Sequence, residues 1–481
     1  MIFFETMCKV GLFSVGLDTY WDQFKSLYAN LNGYHRQIKE RLENLGAEVV
    51  DAGMVDNTDK SVIAADLLKN SGVELIFLFV STYALSSTIL PIVQKTNIPF
   101  LLLNLQPVEK LDYQMFNALE DYTEKTEVWL AHCQSCAIPE IACVINKTSV
   151  RYQIITGFLH EEKVWEEIKS WLDAASAVTA MKKNRMGILG NYYGGMLDVY
   201  TDLTKMSVVF GTHFELIEMC ELKSLRDQVA PEEANKMIDE FHAHFDIDPG
   251  CDQSELERAA TTSVALTKMV ESHNLGSLAY YYEGQKGNDY ENIVTSLIAG
   301  NTLLTGKNVP VAGECEVKNA HAMKILSELG AGGSFSEFYL MDFSDNVLLL
   351  GHDGPAHFQI AEDRVRLVPL PVYHGKPGSG LSIQMSVKKG PVTLLSVVET
   401  ADTIFLLVAE GDSVEGSILE TGNTNSRYRF PVDIRDFINR WSKMGPSHHC
   451  AIGTGHLAHT IEKVAFLLNI QKIDVCKELK T

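Results

Sequence analysis

The sequence predicts an α/β protein: two α/β domains with parallel sheets, then a C-terminal antiparallel β domain of barrel-like form. Three observations predict it. Short apolar runs alternate with amphipathic stretches through residues 1–180, the rhythm of a parallel sheet covered by helices. A polar, basic stretch, "MKKNRMG" (181–187), reads as a linker, and the rhythm restarts behind it. Beyond residue 333 the pattern becomes short strands separated by turn residues, the mark of antiparallel pairing. The expected domains are 1–180, 181–333 and 334–481.

The elements follow in order. "KVGLFSVGL" (9–17) reads as a strand, residues 21–46 as a helix stopped by Gly46, and "AEVVDAG" (47–53) as a second strand. "VELIFLFV" (73–80) and "IPFLLLNLQ" (98–106) are apolar enough to be buried on both faces. In the second domain "MGILGNYY" and "FELIEMCEL" read as strands around a helix, "MLDVYTDLTKMSVVFG". Two helices (231–245 and 253–274) lead to the strand "SLAYYYEG" (277–284) and further helices to Gly330. The β domain contains "SFSEFYLMDF", "NVLLLGHDG", "DRVRLVPLPV", "GLSIQMSVKKGPVTLLSVVE" and "TIFLLVAEGDSVEG". A closing helix carries Leu457, Ile461, Val464 and Leu468 at helical period.

Composition narrows the function classes. A formal charge of −21 on 481 residues opposes binding to nucleic acid or to an anionic membrane surface. No run of about 18 apolar residues occurs, which argues against a membrane span, and "MIFFETMCKVGLF" lacks the basic start of a signal peptide. The nine cysteines are odd in number and dispersed, which argues for reduced thiols and a cytoplasmic setting. "CQSC" (133–136) is a single CxxC with no second pair at zinc-ribbon spacing. The two α/β domains are Rossmann-like in rhythm, yet the first strand is followed only by Gly11 and Gly16, short of a dinucleotide fingerprint. "HGKPGSGLS" lacks the order of a phosphate loop, so no nucleotide cofactor is expected.

The chemistry-bearing residues gather in the β domain. On a strand over 333–343, alternation would place Phe335, Glu337, Tyr339, Met341 and Phe343 on one face, with Glu337 its lone acid. A buried carboxylate needs a cation, a metal or hydrogen-bond donors, so either a structural salt bridge or a metal site accounts for it. "HDGPAH" brings His352, Asp353 and His357 to the end of the next strand, and "PVYHGKPGSG" brings His374 to another. "GPSHHC" adds His448 and His449 ahead of the closing helix. Each alone has an ordinary explanation as a turn or surface residue. Two carboxylates and two imidazoles together suit Mn²⁺, Mg²⁺ or Co²⁺ better than a closed zinc site. Such an ion can polarise a carbonyl beside a hydroxyl.

These segments resemble the L-arabinose isomerase and L-fucose isomerase superfamily of metal-dependent aldose–ketose isomerases, in a divergent, L-fucose-type branch. "NYYGGMLDVYTDLTKMSVVFGTHFELIEMCEL" (191–222) is similar to the segment running from "RFGDNMR" to "KFGW" in arabinose isomerases. "GECEVKNAHAMKILSELGAGGSFSEFY" (313–339) resembles "GEGDWKTAALL" followed by "GGTSFMEDY". "VYHGKPGSG" and "GPSHHC" resemble the segments bearing the family's metal-binding histidines. The resemblance implies metal ligands at Glu337, His374 and His449, with Asp353 or else His357 in place of a glutamate missing from "LLGHDGPAH". It implies Glu337 and Asp353 as the acid–base pair, and His352, His357 and His448 as outer or substrate contacts. The implied reaction interconverts an aldose and a ketose, a pentose or 6-deoxyhexose, through a cis-enediol. Mn²⁺ (or Mg²⁺ or Co²⁺), a small sugar and a homo-oligomer, a hexamer, complete the expectation. A non-catalytic sugar-binding protein and a sugar epimerase are the competing readings.

Overall fold

The computed structural model describes residues 8–283, 287–370 and 378–477. The chain divides into two compact units, 1–179 and 180–481. The first is built on a parallel sheet of β1 (Lys9–Val15), β2 (Glu48–Val55), β3 (Leu75–Val80), β4 (Phe100–Gln106) and β5 (Tyr152–Phe158), in the order β2-β1-β3-β4-β5. The apolar runs do what their composition predicts. All six residues of β3, and Phe100 to Leu103 of β4, are buried, because helices cover both faces of a parallel sheet. The turn "HCQSC" opens the helix Gln134–Ile145, and Cys133 and Cys136 are joined there as a disulfide. Spacing of i, i+3 across a first helical turn brings the two side chains to one side. This pair departs from the expectation of reduced thiols. The seven other cysteines are free.

In the second unit, β6 (Arg185–Gly190), β7 (His213–Ile217), β9 (Ser277–Tyr281) and β10 (Val311–Ala312) form a parallel sheet, order β10-β9-β6-β7. The short β8 (Phe245–Ile247) instead pairs in parallel with β13 (Val365–Leu370), which pairs antiparallel with β14 (Gly380–Gln384). The expected linker is structured: Lys182 and Lys183 end the helix Glu162–Lys183, and Arg185 opens β6. The expected helix over "MLDVYTDLTKMSVVFG" is confined to Leu203–Phe210, which Asp202 caps through the Thr204 and Lys205 amides. "FELIEMCEL" is a strand only to Ile217, and Met219–Asp227 is helical.

The C-terminal sheet contains β11 (Gly332–Asp342), β12 (Val347–His352), β15 (Gly390–Glu399), β16 (Ile404–Val414), β17 (Thr424–Arg429), β18 (His449–Thr454) and β19 (Gln471–Asp474). Its order is β15-β18-β11-β12-β17-β16-β19, and β15 also pairs with β16 along ten residues. All these pairings are antiparallel except β16 with β19. A register shift between Phe338 and Leu340 breaks the alternation of β11. Met341 and Phe343 therefore emerge into solvent instead of continuing the Phe335 face. The helix Val317–Glu328, buried from Val317 to Ser327, packs against β11, β15 and β18. A Cβ on Gly333 would meet the Met323 carbonyl at 2.5 Å, so only glycine permits this approach. Among the described residues no single helix is long and apolar enough to cross a membrane.

Candidate metal centre

Three strands and one turn of the second unit bring the site together. Glu337 on β11 stands opposite His449 on β18, and its other neighbour is Gly351 on β12, one residue before His352. Strand pairing thus places Glu337 beside His449, and the His352 ring, at the end of β12, lies 5.3 Å from the His449 ring. The fourth residue, Glu314, comes from the turn after β10, where Glu314 and Cys315 both adopt left-handed backbone (φ 56° and 59°). That conformation is costly for side chains other than glycine and is held by its surroundings.

Two groups of donors result. Glu314, His352 and His449 form one, and Glu337, His448 and His449 the other; in each group the donor atoms lie within 4.8 Å of one another. His449 belongs to both. Its ring packs between Phe335 (4.3 Å between centroids) and His448 (3.8 Å). His449 Nδ1 lies 2.5 Å from Glu316 Oε2, and Glu316, itself fully buried, also accepts from the Ser447 hydroxyl. A carboxylate on Nδ1 keeps the proton there and leaves Nε2 as a lone-pair donor.

The donors fit a divalent ion. His449 Nε2 and Glu314 Oε2 are buried without a hydrogen-bond partner, and they face each other at 3.6 Å. Leaving such atoms unsatisfied costs about 1–3 kcal/mol each, and an ion between them removes that cost. Carboxylate oxygens with imidazole nitrogens are the donor set of borderline divalent metals.

The electrostatics separate the two carboxylates. Burial raises the Glu337 carboxyl above its ordinary range, against the pull of His449 and His448. Burial also opposes ionisation of Glu314, but contact with His448 and the neighbouring His449 and His352 outweigh it and hold that carboxyl low. Burial would depress His448, yet Glu314 and Asp198 overcome it and raise the imidazole to about 9. Burial, followed by the neighbouring His449, lowers His352 and favours its neutral form.

The residues expected from sequence therefore fare differently. Glu337 and His449 meet, and His352 and His448 join the donor groups directly. Asp353 belongs to neither group; its carboxylate lies 3.4 Å from His352 Nδ1, beside the centre. The chain turns sharply there, so Gly354 N–H also reaches His352 Nδ1, at 2.9 Å. His357 does not join the site. It is 1% exposed under the start of β11, its amide donates to Ser334 Oγ, and burial lowers its imidazole to about 4. His374 lies outside the described residues. Of the other clustered histidines, His456 contacts the Gly411 carbonyl at 3.0 Å. Glu314 and Glu316 have no role in the sequence reading, although "GECE" contains both. Two acids flanking a buried Cys315 just ahead of a helix were the available signal.

Residues 332–471 match the L-arabinose isomerase C-terminal domain. The chain is 21% identical to a sulfoquinovose isomerase of Alkalicoccus urumqiensis over 340 residues, 69% of this chain and 74% of that protein. It is 23% identical to an L-arabinose isomerase of Erwinia tasmaniensis over 278 residues, 55% of this chain and 54% of that one. With L-arabinose isomerase 2 of Clostridium acetobutylicum it shares 20% identity over 257 residues, 48% of this chain and 51% of that one. These alignments span about half the length of the two arabinose isomerases. The matched domain includes β11, β12 and β18, the strands that carry Glu337, His352 and His449, and over that domain the chain is similar to the L-arabinose isomerases.

Proposed function

We propose that this protein is a divalent-metal-dependent aldose–ketose isomerase whose ion is held by Glu314, Glu337, His352 and His449. The observation that carries the reading is the pair of buried donor atoms, Glu314 Oε2 and His449 Nε2, that face each other at 3.6 Å with neither in a hydrogen bond. A binding protein gains nothing from two such atoms facing each other. The relatives, named as isomerases of arabinose and of sulfoquinovose, support the same class.

When bound, the ion supplies Lewis-acid polarisation of the substrate carbonyl and its neighbouring hydroxyl. The chain does the rest. Glu314, held ionised by its imidazole neighbours, takes the proton from C2 of the open-chain aldose. Glu337 delivers a proton to C1 while the O2 hydroxyl proton passes to O1, a cis-enediol lies between the two carbon transfers, and the proton on Glu314 is exchanged back to Glu337 through solvent. The Gly354 amide holds the His352 ring, and Glu316 aligns His449. This arrangement replaces the expected pair Glu337 and Asp353 with Glu314 and Glu337. Mn²⁺ (or Mg²⁺ or Co²⁺), a pentose or 6-deoxyhexose, the L-fucose-type branch, a homo-hexamer, a cytoplasmic setting and domain limits near residues 180 and 333 complete the proposal.

The test is direct. Protein dialysed against a chelator is returned to Mn²⁺ and incubated with aldopentoses, 6-deoxyhexoses and sulfoquinovose, and the ketose is measured. Conversion by the Mn²⁺ form, lost in Glu337→Gln and Glu314→Gln by about 10²–10⁴-fold, is expected. If no sugar is converted and no divalent ion binds, the reading fails. A product that keeps its aldehyde and inverts C2 would replace isomerisation by epimerisation.

A further inference from the structure

We propose that Asp198 is a positioning residue: it clamps His448 so that the ring faces Glu314, and thereby sets the proton transfer rather than the capture of metal. The kinetic half of this proposal rests on the isomerase reading above; the clamp does not.

Asp198 sits in an irregular stretch between β6 and the helix Leu203–Phe210. Departure from the helix predicted there lets its side chain reach a residue 250 positions further on. One carboxylate oxygen, Oδ2, accepts twice from the same residue: from the His448 amide at 3.0 Å and from His448 Nδ1 at 2.6 Å. The double contact fixes the ring in two senses. It keeps a proton on Nδ1, and it leaves one ring orientation in which both bonds persist. In that orientation Nε2 lies 3.4 Å from Glu314 Oε2, the same oxygen that faces His449. His448 therefore decides where the reactive oxygen of Glu314 rests.

The clamp is itself anchored. The Asp198 carbonyl accepts from Lys318 Nζ, on the buried helix Val317–Glu328 that follows Glu314 and Glu316. Yet Asp198 is not a packing residue. Its side chain is 41% exposed and lines a cavity of about 490 Å³ with Thr201, Lys318, Glu399 and Ser447. Shortening it enlarges an open cavity and leaves the core intact.

Asn in place of Asp198 retains an acceptor oxygen, and Ala removes it. The Mn²⁺-loaded wild type, Asp198→Asn and Asp198→Ala are compared in three measurements: kcat and KM on the aldose that the wild type converts, Mn²⁺ affinity by electron paramagnetic resonance, and amide hydrogen exchange over residues 445–449. For Asp198→Ala, kcat falls about 10–100-fold while KM and Mn²⁺ affinity stay within about threefold, and the His448 amide exchanges faster. Asp198→Asn restores kcat to within about fivefold and protects the amide. Should Asp198→Ala not fold, the same readings on Asp198→Asn and Asp198→Ser decide the matter, with Ser expected to behave as Ala. Unchanged kcat, or a loss of Mn²⁺ affinity in step with kcat, overturns the proposal. If the wild type converts no aldose, the isomerase reading has failed alone; the clamp is then judged by exchange, and an unaltered His448 amide in Asp198→Ala overturns it.

Discussion

Two buried imidazoles, His35 in the first unit and His449 in the second, begin alike and end differently. Each has a carboxylate on one nitrogen: Asp51 Oδ1 lies 2.8 Å from His35 Nε2, and Glu316 Oε2 lies 2.5 Å from His449 Nδ1. The second nitrogen separates them. His35 Nδ1 is closed by the Ser14 hydroxyl at 2.6 Å, whereas His449 Nε2 has no hydrogen-bond partner. Ser14, His35 and Asp51 have the composition of a hydrolytic relay, but Ser14 is fully buried within β1 and no substrate can reach it. The closed chain uses both ring nitrogens within the fold; the open one leaves Nε2 without a hydrogen bond. What distinguishes them is satisfaction, not residue type.

The largest expected effect breaks the comparison outright. His449→Ala abolishes Mn²⁺ binding, read by electron paramagnetic resonance, and lowers turnover more than about 10³-fold. His35→Ala leaves Mn²⁺ binding intact and lowers stability by about 2–4 kcal/mol, read by denaturant unfolding, because Asp51 loses its partner. Equal loss of metal binding in both variants would erase the distinction. A smaller effect sharpens it: Glu316→Gln weakens Mn²⁺ affinity about 10–100-fold without displacing a ligand, measurable by competition with a chelator.

The smallest effect is in pH, with opposite signs. Burial opposes ionisation of Asp51, but His35, the Gly53 amide and Lys39 outweigh it and lower the carboxyl to about 2. A depressed carboxyl stabilises the fold above its unfolded value near pH 4, so about 2 kcal/mol is lost as pH falls from about 4 through 2. Asp51→Asn should flatten that limb of the unfolding curve. His448, raised to about 9, works the other way. Its contribution is present below about pH 6.5 and is lost as pH rises toward 9. Because the side chain is more than a third exposed, the loss is less than about 1 kcal/mol. Metal-free His448→Gln should lack it.

Much of the parallel framework was legible. "LIFLFV" and "FLLLNLQ" could only be strands buried on both faces, and Ile461, Val464 and Leu468 line the buried side of the helix Ala458–Leu468. The misreadings share a cause. "HCAIGT", ahead of that helix, is β18, lying between β11 and β15. Its partners are distant in sequence, and local pattern does not record non-local pairing. The extended Phe335 face fails where the register shifts. Asp353 was chosen for its carboxylate, but its neighbour His352 reaches the donor group, because the chain leaves the sheet between them.

By itself the sequence determined the α/β rhythm, the change to antiparallel strands after residue 333, and Glu337 and His449 as residues of chemical interest. Periodicity and composition carry these, because they reflect burial that each element needs locally. Only the tertiary structure decided that Glu314 and His352 group with His449, that Glu316 contacts His449 and Asp198 contacts His448, and that the His35 chain is closed. The physical reason is that each of these is a question of which lone pair or proton meets which partner. Glu316 and His449 lie 133 residues apart and Asp198 and His448 lie 250 apart, against only 21 for Ser14 and His35; in none of these pairs does sequence separation reveal the contact.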